Sequence, residues 1–134
     1  MNRAGVHIVN SDRILIVEDN AISGMSLKMQ LNRSGFLVLD VVSSGEEALH
    51  SVTRFQEQRP DIVLMDIELA GSMDGIDAAM RIRQEHGIPI IFMTADAKPE
   101  VRQRAAACQP EAYITKPVVM LELVEHINRV LRDR

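Results

Sequence analysis

Five short apolar runs, separated by stretches with helical spacing, constrain this chain more than any other feature. Ile14-Leu15-Ile16-Val17, Phe36 to Val42, Ile62-Val63-Leu64-Met65, Ile88 to Met93 and Ala112-Tyr113-Ile114 are mostly rich in branched residues. Most run on without polar alternation, as parallel strands covered on both faces do. Pro89 falls at the start of its run, where a missing N–H does least harm. Between the runs, Ile22, Met25 and Met29 keep helical i, i+3, i+7 order, and so do Val124, Ile127 and Leu131. Leu49 with Val52, Ile76 with Ala79 and Met80, and Val101 with Ala105 and Cys108 mark three more helices. Ser44 and Glu47 form a capping box for the second helix, and Pro99 suits the first turn of the fourth. The order is strand then helix, five times over. Right-handed crossovers then require an α/β fold with a doubly wound parallel sheet.

A chain of 134 residues has room for one such domain and one continuous core. Residues 1–12 read as a loosely attached extension and 13–134 as the domain. The 15 basic and 19 acidic residues leave a formal charge of −4, which argues against direct nucleic-acid binding as the main business. No apolar run is long enough to span a bilayer, and the N-terminus lacks the apolar core of a signal peptide. With Cys108 as the single cysteine, no internal disulfide is available; the expectation is a cytoplasmic protein with no membrane contact. Cys108 itself reads as a small apolar residue near a helix end.

In a doubly wound sheet, function gathers at the carboxyl ends of the strands. Here the first strand runs into Glu18-Asp19, the third into Asp66, the fourth into Thr94, and the fifth into Thr115-Lys116-Pro117. Three carboxylates, a hydroxyl and an ammonium should therefore converge on one edge. Buried like charges need compensation. The three negative charges are balanced by Lys116 together with one divalent cation, and an oxygen-only ligand set favours Mg²⁺ or Mn²⁺ over zinc. The same arrangement suits phosphoryl transfer, with Asp66 at the end of the central strand as nucleophile and acyl-phosphate carrier. Glu18 and Asp19 are the natural metal anchors, while Lys116 and Thr94 can neutralise or hydrogen-bond phosphoryl oxygens. Any one of these residues at a strand end means little; their joint appearance carries the reading.

At this point the sequence resembles the receiver domain of bacterial two-component response regulators, from Arg13 to about Leu131. The resemblance rests on Ile14-Leu15-Ile16-Val17-Glu18-Asp19-Asn20, Gly45-Glu46-Glu47-Ala48-Leu49, Asp61-Ile62-Val63-Leu64-Met65-Asp66-Ile67, Met73-Asp74-Gly75-Ile76, Pro89-Ile90-Ile91-Phe92-Met93-Thr94-Ala95 and Tyr113-Ile114-Thr115-Lys116-Pro117. It implies a five-stranded, flavodoxin-like (βα)5 sheet in the order 2-1-3-4-5. It further implies that Asp66 is the phosphoacceptor and that Glu18 and Asp19 hold Mg²⁺ with Asp66. The backbone carbonyl of Glu68 would complete the metal site. Thr94 and Lys116 correspond to the switch hydroxyl and lysine, Tyr113 to the switch aromatic, and Lys116-Pro117 to a cis peptide. The resemblance also implies a switch with self-catalysed phosphorylation and dephosphorylation, not a conventional enzyme.

The implied partners are a sensor histidine kinase or a histidine phosphotransfer protein, plus a downstream target. The chain stops after the fifth helix, so the expectation is a stand-alone receiver, monomeric or weakly dimeric. Family members dock kinases near the first helix, where Ile22 and Met25 stand, and read out through the fourth helix, fifth strand and fifth helix. Arg102, Arg104, Glu122, Glu125 and Arg129 decorate that second face. Glu68 and Asp96, each two residues beyond a site residue, are expected to tune acyl-phosphate lifetime.

Several positions depart from the family pattern. Glu18 replaces the commoner Asp, Ala70 stands where many relatives have proline in a loop one residue shorter, Cys108-Gln109-Pro110-Glu111 replaces a glycine-containing turn, and Val118 replaces an aromatic. The histidines His7, His50, His86 and His126 lack zinc spacing and read as surface residues. Met25, Met29, Met65 and Met93 read as core.

Rival functions fare worse. A flavodoxin-like cofactor binder needs a phosphate-cradling loop where Glu18-Asp19 would repel the anion. An aspartyl phosphatase resembling the haloacid dehalogenases wants Asp where Glu68 stands, and a nucleotide hydrolase wants a G-x-x-x-x-G-K-[ST] loop that is missing. A phosphate-independent pseudoreceiver is the remaining alternative.

Overall fold

The computed structural model describes residues 12–54, 57–69, 71–95 and 98–133. The elements alternate as the apolar runs require: β1 (Arg13–Val17), α1 (Ala21–Arg33), β2 (Leu37–Val42), α2 (Gly45–Arg54), β3 (Ile62–Asp66), α3 (Gly75–His86), β4 (Ile90–Thr94), α4 (Pro99–Ala107), β5 (Ala112–Thr115) and α5 (Met120–Arg132). All neighbouring strands pair in parallel, in the order β2-β1-β3-β4-β5. This is the doubly wound, flavodoxin-like sheet that the strand–helix alternation and the family resemblance imply.

The unbroken apolar runs have a direct consequence in packing. Successive side chains of a strand point to opposite faces, so each run feeds two cores. Leu15, Val17, Val63, Met65, Ile90 and Phe92 pack with α2, α3 and α4. Ile14, Ile16, Ile62, Leu64, Ile91 and Met93 pack with α1 and α5. All twelve are fully buried. Burying each such side chain contributes about 1.5–3 kcal/mol, which is what holds the helices on both faces.

Two strand starts differ slightly from the sequence reading. Ile88 and Phe36 are buried but precede their strands. The Pro89 carbonyl already accepts a hydrogen bond from the Val63 N–H, yet proline has no N–H to return, so β4 begins at Ile90. Phe36 instead donates its N–H to the Leu31 carbonyl, closing the end of α1.

A larger correction concerns α1. Its stripe of Ile22, Met25 and Met29 faces outward, exposed by 83, 61 and 50%, so Met25 and Met29 are not core residues. The helix packs instead through Gly24, Leu27 and Leu31. Gly24 suits this face: a Cβ there would lie 2.7 Å from Val41 Cγ1, so a larger residue would force Val41 or the helix to shift. In α5 the buried set is Leu123, Ile127 and Val130, with Val124 and Leu131 at the margin. His86 and His126 are half-buried rather than surface residues, and Nδ1 of His126 has no hydrogen-bond partner among the described residues.

Caps follow the sequence signals. Ser44 Oγ accepts from the Glu47 N–H at 3.1 Å, and Glu47 Oε1 reaches back to the Ser43 N–H at 3.0 Å. Pro99 opens α4 and Cys108 caps its end, buried. The turn lacking glycine places Gln109 in the left-handed region at φ 53°, a conformation that costs an L-residue roughly 1 kcal/mol. Residues 1–11, which include His7 and nearly all of the expected extension, lie outside the described residues, as does Ala70. Among the described residues no helix is long and apolar enough to cross a membrane.

Gly75 is where the fold meets the site most tightly. A Cβ there would stand 2.0 Å from the Asp66 carbonyl oxygen and 2.8 Å from Ile67 Cα. Both obstacles are backbone, so no side chain can move aside. Gly75→Ala is expected to lower stability by roughly 2–3 kcal/mol, the upper range for overpacking. Chemical denaturation checks this, and an unchanged midpoint would show that the junction of β3 and α3 relaxes freely.

Candidate functional site

The parallel register aligns the strand ends. Val17 pairs with Met65, Asp66 with Met93, and Thr94 with Thr115. One step past Val17, Glu18 therefore comes level with Asp66. The Glu18 N–H extends the ladder to the Val42 carbonyl at 2.9 Å, and the Lys116 N–H does the same to the Thr94 carbonyl at 2.8 Å. Backbone pairing thus carries each site residue to the same edge.

Three of the charged side chains meet there. Lys116 Nζ donates to Glu18 Oε1 at 2.8 Å and to Asp66 Oδ2 at 2.9 Å. The other Asp66 oxygen, Oδ1, accepts the Glu68 N–H at 2.9 Å, and Glu18 Oε2 accepts the Asn20 N–H at 3.1 Å. Asn20 also caps α1 through the Ser23 N–H at 3.0 Å, tying Glu18 to the start of that helix. The Lys116–Pro117 peptide is cis.

Burial makes these contacts matter. Glu18 and Asp66 are 4% and 2% exposed, and one ammonium must serve both. Burial pushes the Asp66 carboxyl up to about 6; Lys116 and the Glu68 N–H oppose the rise, while the neighbouring Glu18 adds to it. For Glu18 burial acts in the same upward sense, but the bonds from Lys116 and Asn20 outweigh it and hold the group below its usual value. Lys116 loses from burial and gains more from its two carboxylates, so its pKa is raised. Asp66 is therefore the member of the trio whose charge is least compensated.

Asp19 is exposed at the rim, and carboxylate oxygens of Glu18, Asp19 and Asp66 all lie within 4.8 Å of one another. An all-oxygen set of three carboxylates, two of them buried and sharing one cation, is what a hard divalent ion requires. The donor set fits Mg²⁺ or Mn²⁺.

Thr94 is fully buried at the end of β4. Its Oγ donates to Glu68 Oε1 at 3.3 Å, and the Ala95 N–H donates to the same oxygen at 3.3 Å. Tyr113, on β5, is half-buried with the Arg102 guanidinium 4.6 Å above its ring, within cation–π range. Asp96 lies outside the described residues.

Sequence reasoning missed one connection. Asp74 caps α3 by accepting the Asp77 N–H at 2.9 Å and also pairs with Arg104 of α4 at 3.1 Å. The capping signal, an Asp just before Gly75-Ile76, is readable along the chain; the Arg104 partner is not. This ion pair links the loop after Asp66 to the helix above β5.

Comparisons with known proteins show the family and the fold. The family model of the response regulator receiver domain matches residues 14–128. The transcriptional activator protein IrlR of Burkholderia pseudomallei (strain 1026b) is 33% identical over 120 residues, covering 90% of this chain and 50% of that protein. The chain thus spans about half the length of such curated relatives. Among solved structures, the signal receiver domain of a modulated diguanylate cyclase from Desulfovibrio desulfuricans G20 superposes with a TM-score of 0.84 at 37% identity, covering 92% of this chain and 96% of that one. A CheY-like receiver domain protein from Methanospirillum hungatei JF-1 gives 0.82 at 27% identity, with the same coverage of 92% and 96%.

The raised Asp66 carboxyl has a measurable consequence. Its folded value of about 6 exceeds its ordinary 3.8, so the folded state holds the extra proton between these values and stability falls as pH rises through that window. Glu18, held low, acts in the opposite sense, so the difference between two proteins isolates Asp66 better than one profile. In chelator-containing buffer, Asp66→Asn is expected to exceed the parent in stability by roughly 1–2 kcal/mol near neutral pH, an advantage that vanishes below about pH 4. Denaturation curves across pH test this; equal stability at neutral pH would mean that Lys116 fully compensates the charge.

Proposed function

The chain belongs to the response regulator receiver domain family, and on that premise we propose that it is a signalling switch in which Asp66 accepts a phosphoryl group from a phosphohistidine. The observation that carries the reading is the placement of the Asp66 carboxylate. It is buried at the central strand end, bonded to Lys116 through one oxygen and to the Glu68 N–H through the other, beside Glu18 and Asp19.

In the proposed step an Asp66 oxygen attacks phosphorus. A P–O bond forms as the P–N bond breaks, and the electron pair stays on the departing imidazole nitrogen. Glu18, Asp19, Asp66 and the backbone carbonyl of Glu68 would hold Mg²⁺ or Mn²⁺, which supplies positive charge against the phosphoryl oxygens. Lys116 orients the carboxylate beforehand and stays beside it to meet the transferred charge. Thr94 lies on the neighbouring strand with a hydroxyl able to donate to a phosphoryl oxygen, and Tyr113, packed under Arg102, follows its movement. Hydrolysis of the acyl phosphate resets the switch.

Receiver domains interact with histidine kinases and downstream effectors. For this chain we place the phosphodonor, a sensor histidine kinase or histidine phosphotransfer protein, on the exposed stripe of α1. Ile22 there borders a cleft that runs to Glu18, Lys116 and Pro117. A donor helix seated on Ile22 and Met25 would bring its histidine to that cleft. A cytoplasmic location follows from such a donor. The downstream target is assigned to α4, β5 and α5, where Arg102 and Tyr113 are joined.

Incubation with Mg²⁺ and acetyl phosphate is expected to add one phosphoryl group by intact mass, and Asp66→Asn or a chelator should abolish the adduct. No adduct on the parent protein would instead support a phosphate-independent pseudoreceiver.

Replacing Met25 by Glu should slow labelling by a phosphohistidine donor protein far more than labelling by acetyl phosphate. A ratio of roughly tenfold corresponds to losing one good interface contact. Equal slowing with both donors would remove α1 as the docking face.

A further inference from the structure

Glu68 has an exposed side chain, yet it reaches across to β4. Its Oε1 accepts from Thr94 Oγ and from the Ala95 N–H, both at 3.3 Å. Its backbone is anchored independently, because the Glu68 N–H donates to Asp66 Oδ1 at 2.9 Å. The side chain can therefore leave Thr94 by rotating about its own bonds while the turn after Asp66 stays in place.

The two donors it occupies are positioned for something else. Met93 is the register partner of Asp66, so Thr94 and Ala95 follow directly on the strand beside the acceptor aspartate. A phosphoryl group carried by Asp66 would present anionic oxygens there, the same kind of acceptor that a carboxylate presents. A hydroxyl and a backbone N–H converging on one carboxylate oxygen make a small anion seat, already filled from within the chain.

We propose that the Glu68 carboxylate is a resident occupant of the phosphoryl seat, holding Thr94 Oγ and the Ala95 N–H until a phosphoryl group on Asp66 displaces it. The inference rests on the reading of Asp66 as phosphoacceptor. Glu68 acts here as a positioning residue: it sets the resting place of the Thr94 hydroxyl and competes with the phosphoryl oxygens for both donors. Contacts of 3.3 Å are longer than ordinary hydrogen bonds, and solvent reaches the side chain, so the occupant is readily exchanged. Charge and seat occupation are separable. Glu68→Gln keeps an acceptor oxygen at the seat without the charge, whereas Glu68→Ala removes both and leaves the backbone carbonyl in place.

The test uses trifluoroberyllate, a phosphoryl mimic that requires no turnover, titrated at saturating Mg²⁺ and followed by NMR. Glu68→Ala is expected to bind it roughly three- to tenfold more tightly than the parent, the factor set by about one net hydrogen bond. Glu68→Gln should fall between the two. In the absence of the mimic, the Ala95 amide should exchange faster with solvent in Glu68→Ala than in the parent. Unchanged or weaker binding by Glu68→Ala, an unchanged Ala95 amide, or a Glu68→Gln affinity equal to that of Glu68→Ala would each overturn the resident-occupant assignment and leave the phosphoacceptor reading standing. The last result would reduce the effect to charge repulsion. No adduct with any of the three proteins would overturn the phosphoacceptor reading itself, and the seat with it.

Discussion

The ammonium of Lys116, placed between Glu18 and Asp66, is the interaction on which the site depends. Two carboxylates that are almost wholly buried cannot stand side by side without a cation. Lys116 supplies only one positive charge, so the trio stays short of neutrality, and Asp66, pushed up by burial first and by the neighbouring Glu18 second, keeps a raised pKa. That residual demand for positive charge, with Asp19 at the rim, suits the edge to a divalent cation, and the proposed phosphoryl group, itself an anion, would need that cation beside it. A structural ion pair would balance its charges and stop there.

The sheet makes this concentration of charge tolerable. β1, β3 and β4 are buried on both faces, and the two cores they feed fasten helices on either side. Polar groups are held at the carboxyl edge by backbone bonds that continue each strand by one residue, as with Glu18 to Val42 and Lys116 to Thr94. Gly75 then allows α3 to start against the Asp66 carbonyl. The loop in between, with Glu68 bonded to Thr94 and Asp74 to Arg104, touches both β4 and α4. A change at Asp66 therefore has a short physical route to the face that carries Arg102 and Tyr113.

Much of this was legible along the chain because its signals are local. Apolar runs bounded by helical spacing identify strands and helices, and a charged or hydroxyl residue after each run marks a strand end. The α1 stripe shows where such reasoning runs out. Ile22, Met25 and Met29 have the periodicity of a buried face, but periodicity identifies a face without saying which way it turns. The helix is buried through Gly24, Leu27 and Leu31 instead, where Gly24 leaves room for Val41 of β2, and no apolar count along the helix contains that fit. His86 and His126, read as surface residues, are half-buried, which their spacing along the chain does not signal either.

The sequence by itself determined the alternation of strands and helices, the chemistry at each strand end and the order in which those groups arrive. Only the tertiary structure decided which of them touch. Lys116 meets Glu18 across 98 residues and Asp66 across 50, and Thr94 meets Glu68 across 26. Contacts over such separations exist only after strand register and helix packing have set the positions of the ends. The identity of a strand-end residue is written locally, whereas its partner and the charge it keeps are properties of the assembled edge.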